Sequence, residues 1–478
     1  MPGMGFSNCR RAAKAMVLAS VGAVVTLIIL APLEILPGRS AILADLVTAP
    51  QDLEADQGYL DPAPAGMEVR YAWARDGGRG ENVKLIDIEN NWNLEHNDLQ
   101  LAALNLVVYD KGFDQDPADD IDHGTAVLGE IVAANDGIGV TGIASSARLG
   151  LINPQVSAST VDMAGAVTKA ASLLDAGDVI LLEQQIIGPR YDIRTGKGIV
   201  PPEFDPAVFQ AIKDATSRGI IVVEPASNGT ENLDDPIYKG AFDRSTQDSG
   251  AIVVGGGMPP VGPSGPDSDR TPTDTTDYGS RVDVQGWGDS ITTCGYGDLR
   301  HSQGPNNWYT ARFGGTSGAS AMVAGGAALI ESIAKAENRP PLSPVALRQL
   351  LVTSGTPQTG DQSRHVGPRP NLRAAIQNLE AGSGGPPPII SAVSYNEAKG
   401  RLIVDGTGFI PGDSVVEISG SKISRIKYPA AFIQGDGTID RLMTKGDITA
   451  LLPPGVAVEI TVLNETLGTR SSPFSFTR

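Results

Sequence analysis

Three residues far apart in the chain are of the types that together make a serine oxygen nucleophilic. Asp87 closes the run Leu85-Ile86-Asp87, His123 lies in Asp122-His123-Gly124-Thr125, and Ser317 lies in Gly314-Gly315-Thr316-Ser317-Gly318-Ala319-Ser320. A serine hydroxyl is a poor nucleophile at neutral pH and needs an adjacent imidazole to take its proton. The imidazole in turn needs a carboxylate to fix its tautomer and stabilise its protonated form. The chemistry this set can do is acyl transfer through a covalent intermediate, with His123 as base and then as acid. Each motif is weak alone: a strand-end Asp is often solvated, and a run of Gly, Ser and Ala also suits a tight helix contact. The other three histidines, His96, His301 and His365, lack the Gly-Thr that follows His123.

Further residues fit around that set. A helix pattern begins at Ser317, so its backbone N–H would lie at a positive helix end, aimed where an oxyanion forms. Asn228, in Ala226-Ser227-Asn228-Gly229 after the apolar run Ile220 to Val223, is the candidate second oxyanion donor, although Asn-Gly is also a common turn pair.

The wording around these residues resembles the subtilisin-like serine proteases, the subtilases. Their His motif is H-G-T, and their Ser motif is G-T-S-x-A-S followed by V-A-G; here Gly315 to Ser320 leads to Val323-Ala324-Gly325. The order Asp, His, Ser is also theirs. His96-Asn97-Asp98-Leu99 is similar to the family's H-P-D-L, and Asn135 to Ala144 to its N-x-x-G-V-x-G-V-A-P run. The resemblance implies a serine endopeptidase with Asp87, His123 and Ser317 as triad and Asn228 in the oxyanion hole. Protein or peptide would be the substrate.

The chain also departs from that pattern. Ile88-Glu89 replaces the Thr/Ser-Gly expected after the triad acid, and Glu89 is assigned to the side of the strand away from the site. Ala321 replaces the usual Pro. Glu183-Gln184-Gln185 replaces the Ser-Leu-Gly of the substrate wall and is expected to narrow selectivity towards polar or basic residues. This substitution sustains a second reading, a catalytically weak subtilase-fold protein that uses its groove and an immunoglobulin-like C-terminal module to hold a protein or glycan partner. The four intact site residues argue against it. His123 likewise argues against a serine peptidase that works with carboxyls alone.

The elements that must position these residues follow from periodicity. Val83 to Ile86, Val179 to Leu182, Ile220 to Val223 and Ala251 to Val254 are continuous apolar runs, as in strands buried on both faces of a parallel sheet. Between them, Thr125 to Ala134, Val161 to Asp175 and Pro206 to Ser217 read as helices, and Ser317 to Glu337 and Pro344 to Thr353 follow. This alternation predicts a three-layer α/β domain with a mostly parallel sheet over residues 58–381. A Gly/Pro linker at 382–386 precedes short β-rich runs over 387–478, a small all-β immunoglobulin-like sandwich. Its opening, with Val404-Asp405-Gly406-Thr407-Gly408-Phe409, resembles the IPT/TIG domain and places Phe409 in a core; the ligand of that module stays unassigned.

Composition sets outer bounds. At 478 residues there is chain enough for more than one domain, and the net charge of −18 argues against nucleic acid as a partner. Cys9 and Cys294 stand in different regions, so no disulfide framework is expected. Basic residues Arg10, Arg11 and Lys14 precede an apolar run from Ala15 to Leu33. Residues 1–44 therefore read as a secretory signal or a membrane anchor, 45–57 as a tether, and the remainder as exported. The stretch between Ala44 and Gly58 is too short for a folding pro-domain. No cofactor is required. Asp110, Asp114, Asp116, Asp119, Asp120 and Asp122 offer oxygen ligands for structural calcium, without the spacing of a known calcium loop.

Overall fold

The apolar runs become parallel strands because each is flanked on both faces by helices that bury it. The computed structural model describes residues 51–99, 106–113, 121–262, 265–301, 303–381, 388–410, 413–420, 423–432, 440–465 and 469–478. The export segment therefore lies outside the described residues, as do Asp114, Asp116, Asp119 and Asp120 of the acidic loop. Of that loop, Asp110 is paired with Lys169 and Asp122 lies in the first turn of a helix.

In chain order the strands are β1 (Lys84–Ile88), β2 (Tyr109–Asp110), β3 (Arg148–Ile152), β4 (Val179–Leu182), β5 (Ile221–Pro225), β6 (Ile252–Gly257) and β7 (Val284–Trp287). They form one sheet in the order β7-β6-β5-β4-β1-β3-β2, and every pairing is parallel. Side chains alternate between two cores, as a two-residue period requires. Leu85, Val179, Leu181 and Val223 face one core, with α1 (Ile121–Val132), α4 (Gly315–Ala336), α5 (Pro344–Ser354) and α6 (Leu372–Glu380). Ile86, Ile88, Ile180, Leu182 and Val222 face the other, with α2 (Met163–Ser172) and α3 (Pro206–Ser217).

Helix starts are written locally. Asp162, Asp205 and Ser343 accept N–H bonds at the starts of α2, α3 and α5, and the last two helices carry Pro in the first turn. Helix α4 is apolar and long enough to cross a membrane, but it is almost wholly buried inside this domain.

The chain leaves β1 towards β3 on one side and later returns to β4 on the other. The strand order thus reverses between β1 and β4, and the crevice beyond the carboxyl ends at such a reversal is where α/β folds place their sites. The described residues between 388 and 478 form antiparallel strands in one connected pairing path, consistent with the small sandwich expected from the sequence. Its core holds Leu402, Val404, Val416, Ile460 and Phe409, the last 5% exposed.

Candidate active site

Glu89, Glu183 and Asn228 follow the carboxyl ends of β1, β4 and β5, and α1 and α4 begin just above that edge. The period of two decides which acid can reach the imidazole. Leu85 faces the core shared with α1 and α4, so Asp87 and Glu89 project to that same side. Placing Glu89 on the opposite side contradicts the period and is corrected by the structure.

The histidine is supported by Glu89. Its Oε2 lies 2.5 Å from His123 Nδ1, and its Oε1 accepts the Asn90 N–H at 2.7 Å. Asp87, expected in that role, is fully buried lower on the strand, where its Oδ2 accepts the indole N–H of Trp92 at 2.8 Å. The strand runs on through Ile88, so the acid at the crevice is the first residue past it. The sequence carried that signal: Ile88 continues the apolar run beyond Asp87, and the true end of the run is Glu89.

Two residues of the His motif have structural work. A Cβ on Gly124 would stand 2.3 Å from the Asn91 carbonyl and 2.9 Å from Glu89 Cγ, so only glycine lets the segment after β1 approach α1. Thr125 Oγ1 accepts the Asn93 N–H at 2.8 Å and donates to the Ile121 carbonyl at 2.5 Å, tying that segment to the helix. The H-x-D-L segment is structural. His96 Nε2 meets the Trp308 carbonyl at 2.9 Å, and Asp98 accepts from Tyr309 and from Val140 N–H.

Ser317 lies in the first turn of α4, where backbone N–H groups have no helical acceptor. Gly315 adopts φ +73°, and its backbone comes so close to Asn228 that a Cβ would stand 3.2 Å from the amide oxygen. That oxygen accepts the Thr316 N–H at 3.0 Å, which leaves Nδ2 as the amide's donor. The Asn228 backbone N–H is held in turn by Gln185 Oε1 at 3.3 Å.

His123 and Ser317 line a cleft of about 280 Å³ together with Glu89, Glu183, Gln184 and Pro225. A second opening beside it is bordered by His123, Ser317, Asn228, Tyr296 and Phe313, the last in edge contact with the imidazole. The structure thus brings together every expected site residue except Asp87. Within the wall segment, Glu183 is buried, Gln184 half-buried and Gln185 exposed.

The electrostatics are unusual for the number of acids. Burial first, and then the neighbouring Glu89, push the Asp87 carboxyl well above its ordinary range. Burial does the same to Glu130 on α1, and burial followed by Glu89 and Asp87 to Glu183. The ligand atoms of Glu89, His123 and Glu183 lie within 4.8 Å of one another. The 2.5 Å contact of Glu89 Oε2 with His123 Nδ1 is a hydrogen bond within that group. Cys294 is buried, with its thiol 4.0 Å from Asp98 Oδ2.

Comparison with known proteins agrees with this architecture. The model of the subtilase family matches residues 86–384. Subtilisin DY of Bacillus licheniformis is 26% identical over 308 residues, covering 63% of this chain and 93% of its own. An intracellular serine protease of Paenibacillus polymyxa is 26% identical over 299 residues, 60% of this chain and 78% of that protein. Among solved structures, the prenylagaramide maturation protease PagA superposes with a TM-score of 0.47 at 19% identity, over 65% of this chain and 97% of its own. With the family match running over more than half of its length, this chain belongs to the subtilase family of serine proteases.

Proposed function

We propose that the chain is a serine endopeptidase whose triad is Glu89, His123 and Ser317. The observation that carries this reading is the 2.5 Å contact of His123 Nδ1 with a buried carboxylate, at an imidazole that shares its cleft with Ser317. A carboxylate only accepts, so Nδ1 carries the proton and Nε2 keeps the lone pair that removes the Ser317 proton. The serine oxygen attacks the peptide carbonyl, and the tetrahedral oxyanion is met by the Ser317 N–H and Asn228 Nδ2. His123 then protonates the leaving amine, and water repeats the sequence on the acyl-enzyme.

Substrate backbone would lie along Glu183-Gln184-Gln185, whose long polar side chains favour polar or basic neighbours of the scissile bond. Export of residues 58–478 and an IPT/TIG identity for the C-terminal sandwich complete the reading. Calcium at the acidic loop is a structural addition to it.

A fluorophosphonate probe tests the proposal. The wild-type chain is expected to be labelled at Ser317 and to hydrolyse peptides, with both activities lost in Ser317→Ala and His123→Ala. Labelling that survives Ser317→Ala would overturn it.

A further inference from the structure

Glu183 has no role in a triad, yet it faces the nucleophile. The backbone N–H of Glu183 bonds the Ile88 carbonyl at 3.0 Å, which continues the β1–β4 register by one residue. That register sets Glu183 beside Glu89, on the face where α1 and α4 pack. The residue is 5% exposed, and neither carboxyl oxygen has a hydrogen-bond partner. Ser317 lies close enough to act as a hydrogen-bond partner that eases its ionisation, although the contact is outside the geometric limits of a full bond.

The groups that face it come from each surrounding element: Asp87 and Glu89 from the β1 edge, His123 and Glu130 from α1, and Ser317 from α4. No lysine or arginine lines that cleft among the described residues. An unpaired carboxylate buried beside two other acids is costly, and such a group keeps its proton instead. Burial and the adjacent acids indeed push it well above the ordinary carboxyl range.

We propose that Glu183 is a further catalytic group of this centre, a neutral carboxyl that donates a hydrogen bond to the Ser317 oxygen. The inference rests on the peptidase reading above. A serine oxygen that accepts from Glu183 has its own proton turned to His123, so the donor orients the nucleophile for proton transfer. As that proton leaves, the same O–H stabilises the charge growing on the oxygen, as neutral acids do at other oxyanion sites. No proton is gained or lost by Glu183 in the cycle. Once ionised it becomes an acceptor, draws the serine proton away from His123 and opposes the oxyanion. Activity is therefore present while Glu183 is protonated and is lost as pH rises through its raised pKa.

The test is the pH profile of kcat/KM on the full chain, with Glu183→Gln and Glu183→Met. The amide keeps a donor and does not titrate, so Glu183→Gln should stay within about ten-fold of wild type at the optimum, with its alkaline limb gone. Glu183→Met has no donor and should lose roughly ten- to hundred-fold at every pH. An alkaline limb unchanged in Glu183→Gln would overturn the inference, as would an equal loss in the two variants. Infrared difference spectra of wild type against Glu183→Gln supply a readout independent of turnover. A protonated-carboxyl band at neutral pH that disappears in the variant is expected, and its absence refutes the neutral acid. Wild type that never reacts with the fluorophosphonate sinks the peptidase reading and this catalytic role with it, while the spectra still decide the protonation state.

Discussion

Two clusters of buried acids sit in the same domain and are treated oppositely. Around Arg281, which is fully buried, Glu203 takes the guanidinium at 2.5 and 2.9 Å and Asp283 takes it at 2.9 Å. Arg348 of α5 closes on Asp248 at 2.5 and 2.8 Å and tethers that helix to the loop before β6. Around the cleft, Asp87, Glu89, Glu130 and Glu183 are as deeply buried, and among the described residues the basic partner is His123, at Glu89. The first cluster meets Glu203, Asp283 and Asp248 with guanidinium groups, as structural burial of charge demands, although Glu224 beside Glu203 is also buried with one oxygen unpartnered. The second leaves acids unpaired, which a fold tolerates only by keeping them neutral. The difference separates a scaffold from a centre that manages protons.

The largest expected effect breaks the cleft cluster at the acid that contacts His123. Glu89→Gln should lower kcat by about 10⁴, because an amide no longer holds His123 in the right tautomer. Asp87→Asn should change it by less than about ten-fold, since Asp87 serves Trp92 and not the imidazole. Steady-state kinetics on the two variants decide the matter. The reverse ranking would restore Asp87 as the triad acid.

Why the sequence pointed to Asp87, while Glu89 is the acid in contact with the imidazole, is itself a matter of period. His123, Ser317 and Asn228 were legible because each lies in a motif whose neighbours have geometric jobs: Gly124 admits the segment after β1, and Gly315 admits Asn228. Nothing comparable surrounds the acid, and Asp is the more familiar type. Four of the five inner strands were legible within about three residues, since doubly buried strands are continuous apolar runs. Strand β3, reading Arg148-Leu149-Gly150-Leu151-Ile152, was not, because Gly150 interrupts the run. That glycine is needed where β3 crosses Ile86 and Val108, within 3.0 Å of a would-be Cβ. Nor could the apposition of Glu183 and Glu89 be read, since it depends on the β1–β4 register.

The paired cluster should fail differently. Arg281→Met leaves Glu203 buried without its cation, while Asp283 keeps Arg244, and loss of one partner of a buried pair costs about 3–5 kcal/mol. Urea unfolding should show that loss, with kcat per folded molecule near the wild-type value, because none of the three lines the cleft. A fall in kcat at unchanged stability would mean that the two clusters communicate.

The smallest effect sharpens the contrast through pH. Glu130 has both oxygens unpartnered and is driven upward by burial, so the folded chain keeps a proton that the unfolded chain releases near pH 4.3. Its contribution to stability is complete below that pH and is lost as pH rises towards the folded-state pKa, by about 1.4 kcal/mol per pH unit. Asp248 has the opposite sign. Burial opposes its charge, but Arg348 outweighs burial and holds the carboxyl below its ordinary range. Its contribution is therefore present at neutral pH and is lost as pH falls below about 4. Unfolding free energies measured from pH 3 to 8 should thus become flatter above about pH 4.3 in Glu130→Gln. In Asp248→Asn they should become flatter only below about pH 4. If Glu130→Gln leaves the neutral slope untouched, that carboxyl is paired in solution and the cleft cluster is less starved of partners than its geometry implies.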